Sequence, residues 1–556
     1  MKIEIFALGG LGENGKNLYV VEVDKRIFVL DAGIKYPDSE LLGIDQVIPD
    51  YSYLVKNKDR IEGIFLTHGH DVHIGALPFI LSDIKLNVYA SNFTMDIIED
   101  LLVEEGLNSK AYNLIRVNEN TLLKFKTANV GFFQTTHNIP DSYGVYIETK
   151  DGLIVYTSDY TFDQNADEIY KTNYDTLTKI SQKGVLALLS DSLGADKFGN
   201  NGNYHANMYK LNNIMKKAKN RLIFSVYSQD LRRIQKLIDL CVQYDKKVAI
   251  IGRKTQRIVD IGIKSGYLKI PENILKNLRY IDDKNKNDDP NLVILVTGIR
   301  HEPYYMIQRM CKGIDRLINI TNKDHVIFMT APYLGTEKLA AKTLDSLAKI
   351  DAEVTVFKRK DLQYSHAFSE EIKLMYKLLK PKYSIPAIGE YRHQHAHKNI
   401  CLELGYKEED IFILENGESA VFVNKEFKEI NKKIEPLELL VDGSIAGDIN
   451  EVVLKDRELL SEDGILIITA NVNARIKKVL NEPKIVTKGF LFVKDNEEIL
   501  NEIKNIFKKV SQEFLKNKYI KWNDYKNVLR NEINNYIQKT TQRSPLVIPV
   551  IISTEL

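Results

Sequence analysis

Three histidines, His68, His70 and His73, lie close together in the segment Thr67-His68-Gly69-His70-Asp71-Val72-His73. Imidazole nitrogen is a preferred ligand of zinc and similar cations, and carboxylate oxygen is the common second ligand type. A motif of this spacing that held two ions would need a carboxylate in the place of Val72, whose side chain offers no lone pair. The residues therefore indicate metal-assisted hydrolysis at a site that lacks part of its ligand set.

Two further residues complete a possible metal site. His137 and Asp159 each follow an apolar strand, as the three histidines do after Ile61–Leu66. Together with His68 and His70 they offer four ligands, which is the number that a structural zinc ion takes. A second ion would require His73, a bridging Asp159, a carboxylate at position 72 and one more imidazole.

The elements that must position these side chains can be traced along the chain. Before residue 160 the pattern predicts strands at Met1–Leu8, Asn17–Val23, Arg26–Asp31, Leu122–Thr135, Tyr143–Thr149 and Leu153–Thr157. From about Asn207 to Phe357, buried strands alternate with helices, which is typical of a parallel α/β sheet. A helix at Ser369–Leu379 with Ser369 as N-cap, a polar linker at Asn424–Glu438 and an α+β segment containing a helix at Glu497–Leu515 follow.

Composition limits the class of protein. The chain has 556 residues, of which 44% are apolar and 27% charged, as expected for two to four soluble domains. The net charge of +2 does not by itself indicate nucleic-acid binding, so such binding would need a local basic surface. No apolar run reaches about 18 residues, and the three cysteines form no Cys-x-x-Cys pair. We expect a cytoplasmic protein with reduced thiols.

Other basic residues have two interpretations. His393, His395 and His397 are spaced by two, which places successive side chains on different faces of a helix and argues against a second metal site. Arg232 and Arg233, near the start of a helix, either contact nucleic-acid phosphates or lie on a solvated helix face.

Motifs spread over the chain resemble those of the ribonuclease J family, a β-CASP branch of the metallo-β-lactamase superfamily. The matching segments are Gly10-Leu11-Gly12-Glu13-Asn14-Gly15-Lys16-Asn17, Leu42-Gly43-Ile44-Asp45, Ile139-Pro140-Asp141-Ser142, Leu378-Leu379-Lys380-Pro381-Lys382-Tyr383, Gly389-Glu390-Tyr391-Arg392 and Leu459-Leu460-Ser461-Glu462-Asp463-Gly464.

The resemblance implies an α/β fold: a metallo-β-lactamase αββα sandwich with an inserted Rossmann-like β-CASP domain and a small α+β C-terminal domain. The implied boundaries are 1–207 and 359–430 for the lactamase domain, 208–358 for the β-CASP domain, 431–445 for a linker and 446–556 for a C-terminal oligomerisation domain. The implied activity is an RNA phosphodiesterase in RNA processing and decay. It degrades single-stranded RNA with a 5′ monophosphate in the 5′-to-3′ direction and also cuts internally.

The resemblance also assigns roles to residues. His68, His70, His73, His137 and Asp159 match metal ligands, whereas Val72 and Ile388 stand where the family has an aspartate and a histidine that bind the second ion. We therefore expect one zinc ion rather than two, with Mn²⁺ or Mg²⁺ as alternatives. His366 matches a residue that donates a proton or stabilises the transition state, and Asp159 is the second catalytic candidate. The expected substrate-binding residues are Leu362, Gln363, Tyr364, Ser365, His366, Arg300 and Arg232.

Two functions follow as hypotheses. The first is a ribonuclease slowed by the loss of second-metal ligands; if one charge-stabilising group contributes about 3–4 kcal/mol, the rate falls by about two to three orders of magnitude. The second is a non-catalytic RNA-binding or scaffolding subunit. A homodimer, or a hetero-oligomer with an active ribonuclease J, is the expected assembly.

Overall fold

The computed structural model describes residues 1–38, 41–201, 204–280, 289–333, 335–358, 362, 365–443, 445–447, 451–490, 496–517 and 519–554. The contacts divide the chain into two compact units, Met1–Tyr36 with Gln46–Leu439 and Pro37–Asp45 with Leu440–Leu556. Within the described ranges, every helix is too short or too polar to cross a lipid bilayer.

The part of the first unit that ends at residue 191 is rich in short strands. Its strands are β1 (Lys2–Gly9), β2 (Leu18–Val23), β3 (Arg26–Leu30), β4 (Gln46–Pro49), β5 (Ile61–Phe65), β6 (Asn87–Ala90), β7 (Asn113–Arg116), β8 (Leu122–Lys124), β9 (Asn129–Gln134), β10 (Tyr143–Thr149), β11 (Gly152–Tyr156) and β12 (Val185–Asp191). Its helices are α1 (Ser52–Lys56), α2 (Asp71–Ile74), α3 (Leu77–Asp83), α4 (Asn92–Glu104) and α5 (Tyr174–Lys183). Short 3₁₀ turns lie at Lys58–Arg60, Ser109–Ala111 and Glu168–Tyr170.

The single strand predicted for Leu122–Thr135 is wrong. The structure divides the segment into β8 and β9, which pair antiparallel. The amide of Phe125 donates to the carbonyl of Ala128 and closes the turn between them. Apolar residues on both sides of the turn hid this break in the sequence.

Residues 204–356 alternate helices with strands, as the sequence predicts. In chain order they are α6 (Tyr204–Lys217), β13 (Arg221–Tyr227), α7 (Leu231–Gln243), β14 (Lys247–Ile251), α8 (Arg253–Lys264), β15 (Leu292–Gly298), α9 (Glu302–Cys311), β16 (Asp324–Phe328), α10 (Glu337–Lys349) and β17 (Glu353–Val356), with a 3₁₀ turn at Leu278–Tyr280. The strand order is β14-β15-β13-β16-β17, and every pairing is parallel. The predicted parallel α/β sheet is confirmed.

The chain then adds further elements to the strand-rich part of the first unit. They are α11 (Ser369–Leu379), β18 (Tyr383–Ala387), α12 (Tyr391–Glu403), the 3₁₀ turn Glu408–Asp410, β19 (Glu418–Val423) and β20 (Glu426–Lys432). Two sheets result, with strand orders β20-β19-β1-β2-β3-β5-β6-β7 and β18-β12-β11-β10-β9-β8. The N-cap of α11 is Phe368 rather than the predicted Ser369, because the Glu371 carboxylate reaches back to accept from the Phe368 amide at 2.9 Å.

One hydrophobic core joins these two sheets. Phe28 and Phe65 of the first sheet and Phe132 and Tyr156 of the second belong to the same buried cluster. Apolar residues fill both facing surfaces, so the sheets form a sandwich, and this agrees with the predicted α/β lactamase fold. Loops that leave the carboxyl ends of β3, β5, β9, β11 and β12 carry the polar side chains described below.

The linker predicted at Asn424–Glu438 is wrong at its start. Glu426–Lys432 forms β20, paired antiparallel with β19. Asn424 and Lys425 have φ values of 52° and 69°, which is the backbone of a two-residue hairpin turn whose twist suits the flanking strands. The strand is mostly exposed at the edge of its sheet, so its charged composition resembled a linker.

The second unit is a small α+β structure. Its elements are β21 (Glu438–Asp442), which begins at the end of the first unit, β22 (Ile445–Ala446), α13 (Glu451–Glu462), β23 (Ile465–Asn473), β24 (Lys478–Val479), β25 (Lys484–Lys488), α14 (Glu497–Leu515), α15 (Trp522–Thr541) and β26 (Leu546–Thr554). Strand β23 is central, antiparallel to β24 and β25 and parallel to β26. Residues of α14 and α15 share one core with the buried face of β23.

Candidate metal centre

The three parts of the predicted ligand set meet at one end of the sandwich. His68, His70 and His73 lie in the loop after β5 and in the short helix α2. His137 follows β9, and Asp159 follows β11. Because these strands are buried and rigid, the side chains at their ends are held in place before any ligand binds.

Four side chains form a compact, buried group. The Nδ1 atom of His70 lies 3.1 Å from His68 Nε2 and 3.2 Å from His137 Nε2. The Oδ2 atom of Asp159 lies 3.7 Å from His68 Nε2 and 3.8 Å from His137 Nε2. Four ligands at the usual bond lengths around a tetrahedral zinc ion lie about 3.4 Å from one another. The arrangement therefore fits one divalent cation with little rearrangement.

The protonation states favour cation binding. Burial holds the pKa values of His68 and His137 well below the usual range and lowers the pKa of His70 to about 4. These imidazoles are therefore neutral and keep a lone pair at neutral pH. Burial opposes ionisation of Asp159, but the neighbouring His366 and His73 outweigh it and hold its pKa well below the ordinary value.

A buried carboxylate that sequence reasoning missed supports the group. Asp31 directly follows β3 and accepts hydrogen bonds from the Thr67 amide at 2.9 Å and the Tyr156 hydroxyl at 2.9 Å. Thr67 in turn lies 3.1 Å from the Nδ1 atom of His68. Such outer partners fix the orientation of a ligand ring. The sequence feature that could have identified Asp31 is the position of an acidic residue directly after a buried strand.

His73 has a different environment from the other two motif histidines. Its Nδ1 atom lies 2.7 Å from Asp31 Oδ2, and its Nε2 atom lies 3.3 Å from Asp159 Oδ1 and 3.2 Å from Asn17 Nδ2. Burial disfavours protonation, but the carboxylates of Asp159 and Asp31 outweigh it and raise the pKa of His73 to about 10. His73 therefore lies between two carboxylates that favour its protonated form.

Val72 and Ile388, which the resemblance places at second-ion positions, supply no side-chain ligand atom. The carbonyl of Val72 accepts from the amide and the side chain of Asn17, at 3.2 and 3.1 Å. Ile388 is 1% exposed, belongs to the sandwich core and has a left-handed φ of 52°. The neighbouring Asp71 accepts a hydrogen bond from the Tyr36 hydroxyl at 2.6 Å and is absent from the candidate ligand groups of the described residues.

His366 lies beside the four-ligand group and is paired with a second carboxylate that the sequence did not reveal. Its Nδ1 atom is 2.9 Å from Asp191 Oδ2 and 3.8 Å from Asp159 Oδ1. Asp191 is the buried last residue of β12. Burial disfavours protonation of His366, but Asp191 and Asp159 outweigh it and raise its pKa. The pair can hold a proton next to the metal ligands.

The expected substrate-binding residues occupy different places. Arg232, Leu362 and Ser365 line a cleft that also contains His137. The Ser365 carbonyl lies 3.0 Å from His137 Nδ1, and Arg232 is buried in an ion pair with Asp163 at 2.5 Å. Arg300 is not part of the cleft lining and places its guanidinium 5.1 Å from the Tyr36 ring centroid. Gln363 and Tyr364 lie outside the described residues.

The histidines of α12 do not converge. The Nδ1 atom of His393 accepts from the Glu390 amide at 3.2 Å, His395 is exposed, and buried His397 contacts Ser192 and the Tyr376 hydroxyl. No candidate ligand group among the described residues includes them.

Comparison with known proteins gives a match over the whole chain. Family models match for the metallo-beta-lactamase superfamily at residues 11–180, for the ribonuclease J beta-CASP domain at 219–347 and for the ribonuclease J C-terminal domain at 452–554. The chain is 37% identical over 550 residues to ribonuclease J2 of Bacillus subtilis (strain 168), covering 99% of this chain and 98% of the relative. It is 36% identical over 549 residues to ribonuclease J 2 of Staphylococcus epidermidis, with the same coverage.

A solved structure gives a likeness of fold alone. A crystal structure of a protein of unknown function from Enterococcus faecalis V583 matches with a TM-score of 0.52 and 14% identity, over 76% of this chain and 100% of that one.

Proposed function

The chain belongs to the ribonuclease J family, and from that premise we propose that it is a metal-dependent ribonuclease. Its substrate is single-stranded RNA with a 5′ monophosphate, which it degrades in the 5′-to-3′ direction and also cuts internally during RNA processing and decay. The observation that carries the proposal is the buried group His68, His70, His137 and Asp159. Its neutral imidazoles and ionised carboxylate suit a divalent cation.

The first ion would be held by those four side chains. When bound, it would supply Lewis-acid stabilisation of the negative charge on phosphoryl oxygens. Zinc fits three imidazoles and a carboxylate best, and Mn²⁺ and Mg²⁺ are the alternatives. Thr67 and Asp31 hold the ring of His68 and the loop around it in place.

The protein's own proton chemistry is assigned to His366 and Asp191. Their 2.9 Å contact fixes the imidazole ring, and the raised pKa of His366 favours its protonated form. We assign His366 as the donor to the leaving oxygen and Asp159 as the carboxylate that orients the reacting groups. A positioned proton donor contributes about 10²–10⁴-fold to a rate.

Hydrolysis is proposed to be slow. Val72 and Ile388 supply no side-chain ligand to the second-ion position, so His73 and Asp159 are the ligands left there. Losing one charge-stabilising group costs about 3–4 kcal/mol, so we expect a rate about two to three orders of magnitude below that of a complete two-ion site.

RNA would reach the centre along the cleft lined by His137 and by basic residues of α7. Arg232, Arg233 and Lys236 all border this cleft. Arg300 and Tyr36 form a cation–π pair of the kind that can also stack on a nucleobase.

The three cysteines, Cys241, Cys311 and Cys401, are free thiols, in keeping with a cytoplasmic location.

The test is degradation of a 5′-monophosphorylated RNA by the full-length protein with added Mn²⁺ or Zn²⁺. We expect slow mononucleotide release by the wild type and by the exposed-histidine control His395→Ala, and none by the double variant His68→Ala/His70→Ala. Equal background rates in all three proteins would contradict a catalytic role. They would leave RNA binding and assembly with an active ribonuclease J as the function.

A further inference from the structure

A second group of possible ligands lies next to the first and combines Asp159 with two residues outside the family's second-ion position, Asp191 and His366. We propose that Asp159, Asp191 and His366 form a displaced site for a second divalent cation. The inference depends on one part of the proposed function, namely that a first ion occupies the neighbouring site of His68, His70, His137 and Asp159.

The geometry of this group suits a metal ion. One ligand atom from each of the three side chains lies within 4.8 Å of the others. His366 Nδ1 is 2.9 Å from Asp191 Oδ2 and 3.8 Å from Asp159 Oδ1. Asp159 and Asp191 are almost completely buried, with exposures of 3% and 1%.

An independent observation at Asp159 also indicates a ligand. Its Oδ2 atom lies on the side of His68 and His137. Its Oδ1 atom is buried and accepts no hydrogen bond, although His73 Nε2 is 3.3 Å away and His366 Nδ1 is 3.8 Å away. A buried carboxylate oxygen without a hydrogen bond costs free energy unless a cation satisfies it. The two oxygens can therefore bridge two ions.

The position used by the family keeps part of its ligand set and has lost the rest. Val72 and Ile388 have no ligand atoms. The Nδ1 atom of His73 is 2.7 Å from Asp31, and its Nε2 atom is already within 3.3 Å of both Asn17 and Asp159. An ion there would meet the imidazole of His73 and the carboxylate of Asp159, whereas the displaced site offers the carboxylates of Asp159 and Asp191 and the imidazole of His366.

The ligand types select the cation. Two carboxylates with one imidazole suit Mn²⁺ better than three imidazoles do. Binding replaces the proton shared by His366 Nδ1 and Asp191 Oδ2, and that proton is released to solvent. The Nε2 hydrogen of the neutral His366 ring is retained as a hydrogen-bond donor.

The test is Mn²⁺ loading of the full-length protein, followed by metal analysis and electron paramagnetic resonance. We expect two Mn²⁺ ions per chain and the spectrum of an exchange-coupled pair. Asp191→Asn keeps the Oδ1 atom that accepts from the Leu193 amide, so the fold is retained. This variant and His366→Gln should bind one ion and give the six-line spectrum of isolated Mn²⁺. The matched control His73→Gln should keep the coupled pair.

Several results would overturn the proposal. A wild-type protein that binds a single Mn²⁺ ion has no second site. Coupling that is lost in His73→Gln and kept in Asp191→Asn would place the second ion at the family's position. A wild type without any Mn²⁺ would also refute the first site and the proposed function. None of these measurements depends on RNA cleavage, so an inactive protein with two coupled ions would refute only the proposed function.

Discussion

At the scale of single residues, the backbone conformation of Ile388 indicates that this position has lost a functional side chain. A β-branched residue with φ of 52° is a conformational outlier, whereas histidine is enriched in this region. Strained backbone is commonly kept at functional positions. We expect Val72→Asp with Ile388→His to bind a second ion beside His73 and to raise the rate of RNA cleavage by about two to three orders of magnitude.

The matched control for this rescue is Val72→Asn with Ile388→His, which has the same shape without the carboxylate charge. Both double variants would be assayed for bound metal and for cleavage of monophosphorylated RNA. If they cleave equally fast, charge at position 72 is not the missing element.

A second residue-scale prediction concerns His397. Burial lowers its pKa to about 3, and its ring nitrogens contact Ser192 at 3.1 Å and Tyr376 at 3.0 Å. Because the folded pKa lies below the unfolded value of about 6.5, the unfolded chain takes up the extra proton in acid. Stability from this group is complete above pH 6.5 and falls by about 1.4 kcal/mol per pH unit between pH 6.5 and 3.

His397→Gln should therefore be less stable than the wild type at pH 7.5, and the difference should shrink as the pH falls to 5. The measurement is the free energy of unfolding in urea for both proteins at each pH. A difference that is the same at both pH values would show that His397 does not titrate as inferred.

Sequence reasoning reached some residues of the centre and not others, for a physical reason. His68, His70 and His73 share a short motif whose spacing has chemical meaning. Asp31 and Asp191 are isolated acids, and only the packing of distant strands brings them to the site. The local sequence also could not show that the Nδ1 atom of His73 would contact Asp31.

At the scale of elements, the ligand loop is held by the segment that follows β3. The amide of Ala32 donates to the His73 carbonyl at 2.7 Å, and the amide of Ile34 donates to the Asp71 carbonyl at 3.0 Å. Between them, a Cβ atom added to Gly33 would lie 1.6 Å from the Val72 carbonyl oxygen. We expect Gly33→Ala to displace the loop and to weaken Zn²⁺ binding at least about tenfold, as loss of supporting contacts does elsewhere.

Gly106→Ala is the control for that substitution. Its added Cβ has open space, but its φ of 75° makes alanine cost about 1–2 kcal/mol of stability. Zinc affinity, measured by competition with a chelator, should be unchanged in Gly106→Ala and reduced in Gly33→Ala. Equal affinities in the two variants would mean that the contact between these segments does not position the ligands.

Element boundaries show the same limit of sequence reasoning. Strands buried on both faces, such as β13 and β15, and the helix α14 were predictable because apolar spacing is strong there. β20 was not predictable, because an exposed edge strand leaves no apolar pattern. The turn between β8 and β9 was not predictable either, because apolar residues lie on both sides of it.

At the scale of the whole molecule, the order of the domains could be predicted because the resemblance extends over the full length, and the domain boundaries stay predictions. The assembly also stays a prediction, since interface complementarity depends on surfaces formed only after folding. For the C-terminal unit, however, the strand register identifies a surface that can be tested.

That surface is the face of its sheet opposite α14 and α15. Ile467 lies directly between Val486 and Ile548, and Val550 and Ile552 continue the same face. Val486, Val550 and Ile552 are 50%, 37% and 52% exposed, which is unusual for a continuous apolar row in a monomer.

We propose that a second copy of this chain covers the row. Val486→Lys with Ile552→Lys should then shift a dimer to a monomer in sedimentation velocity, because each lysine would bury a charge in an apolar contact. Val452→Lys, at a 65% exposed position of the helix α13, is the control and should sediment as the wild type does. A wild type that is monomeric alone and dimeric only with a catalytically complete ribonuclease J would assign the row to a hetero-oligomer instead.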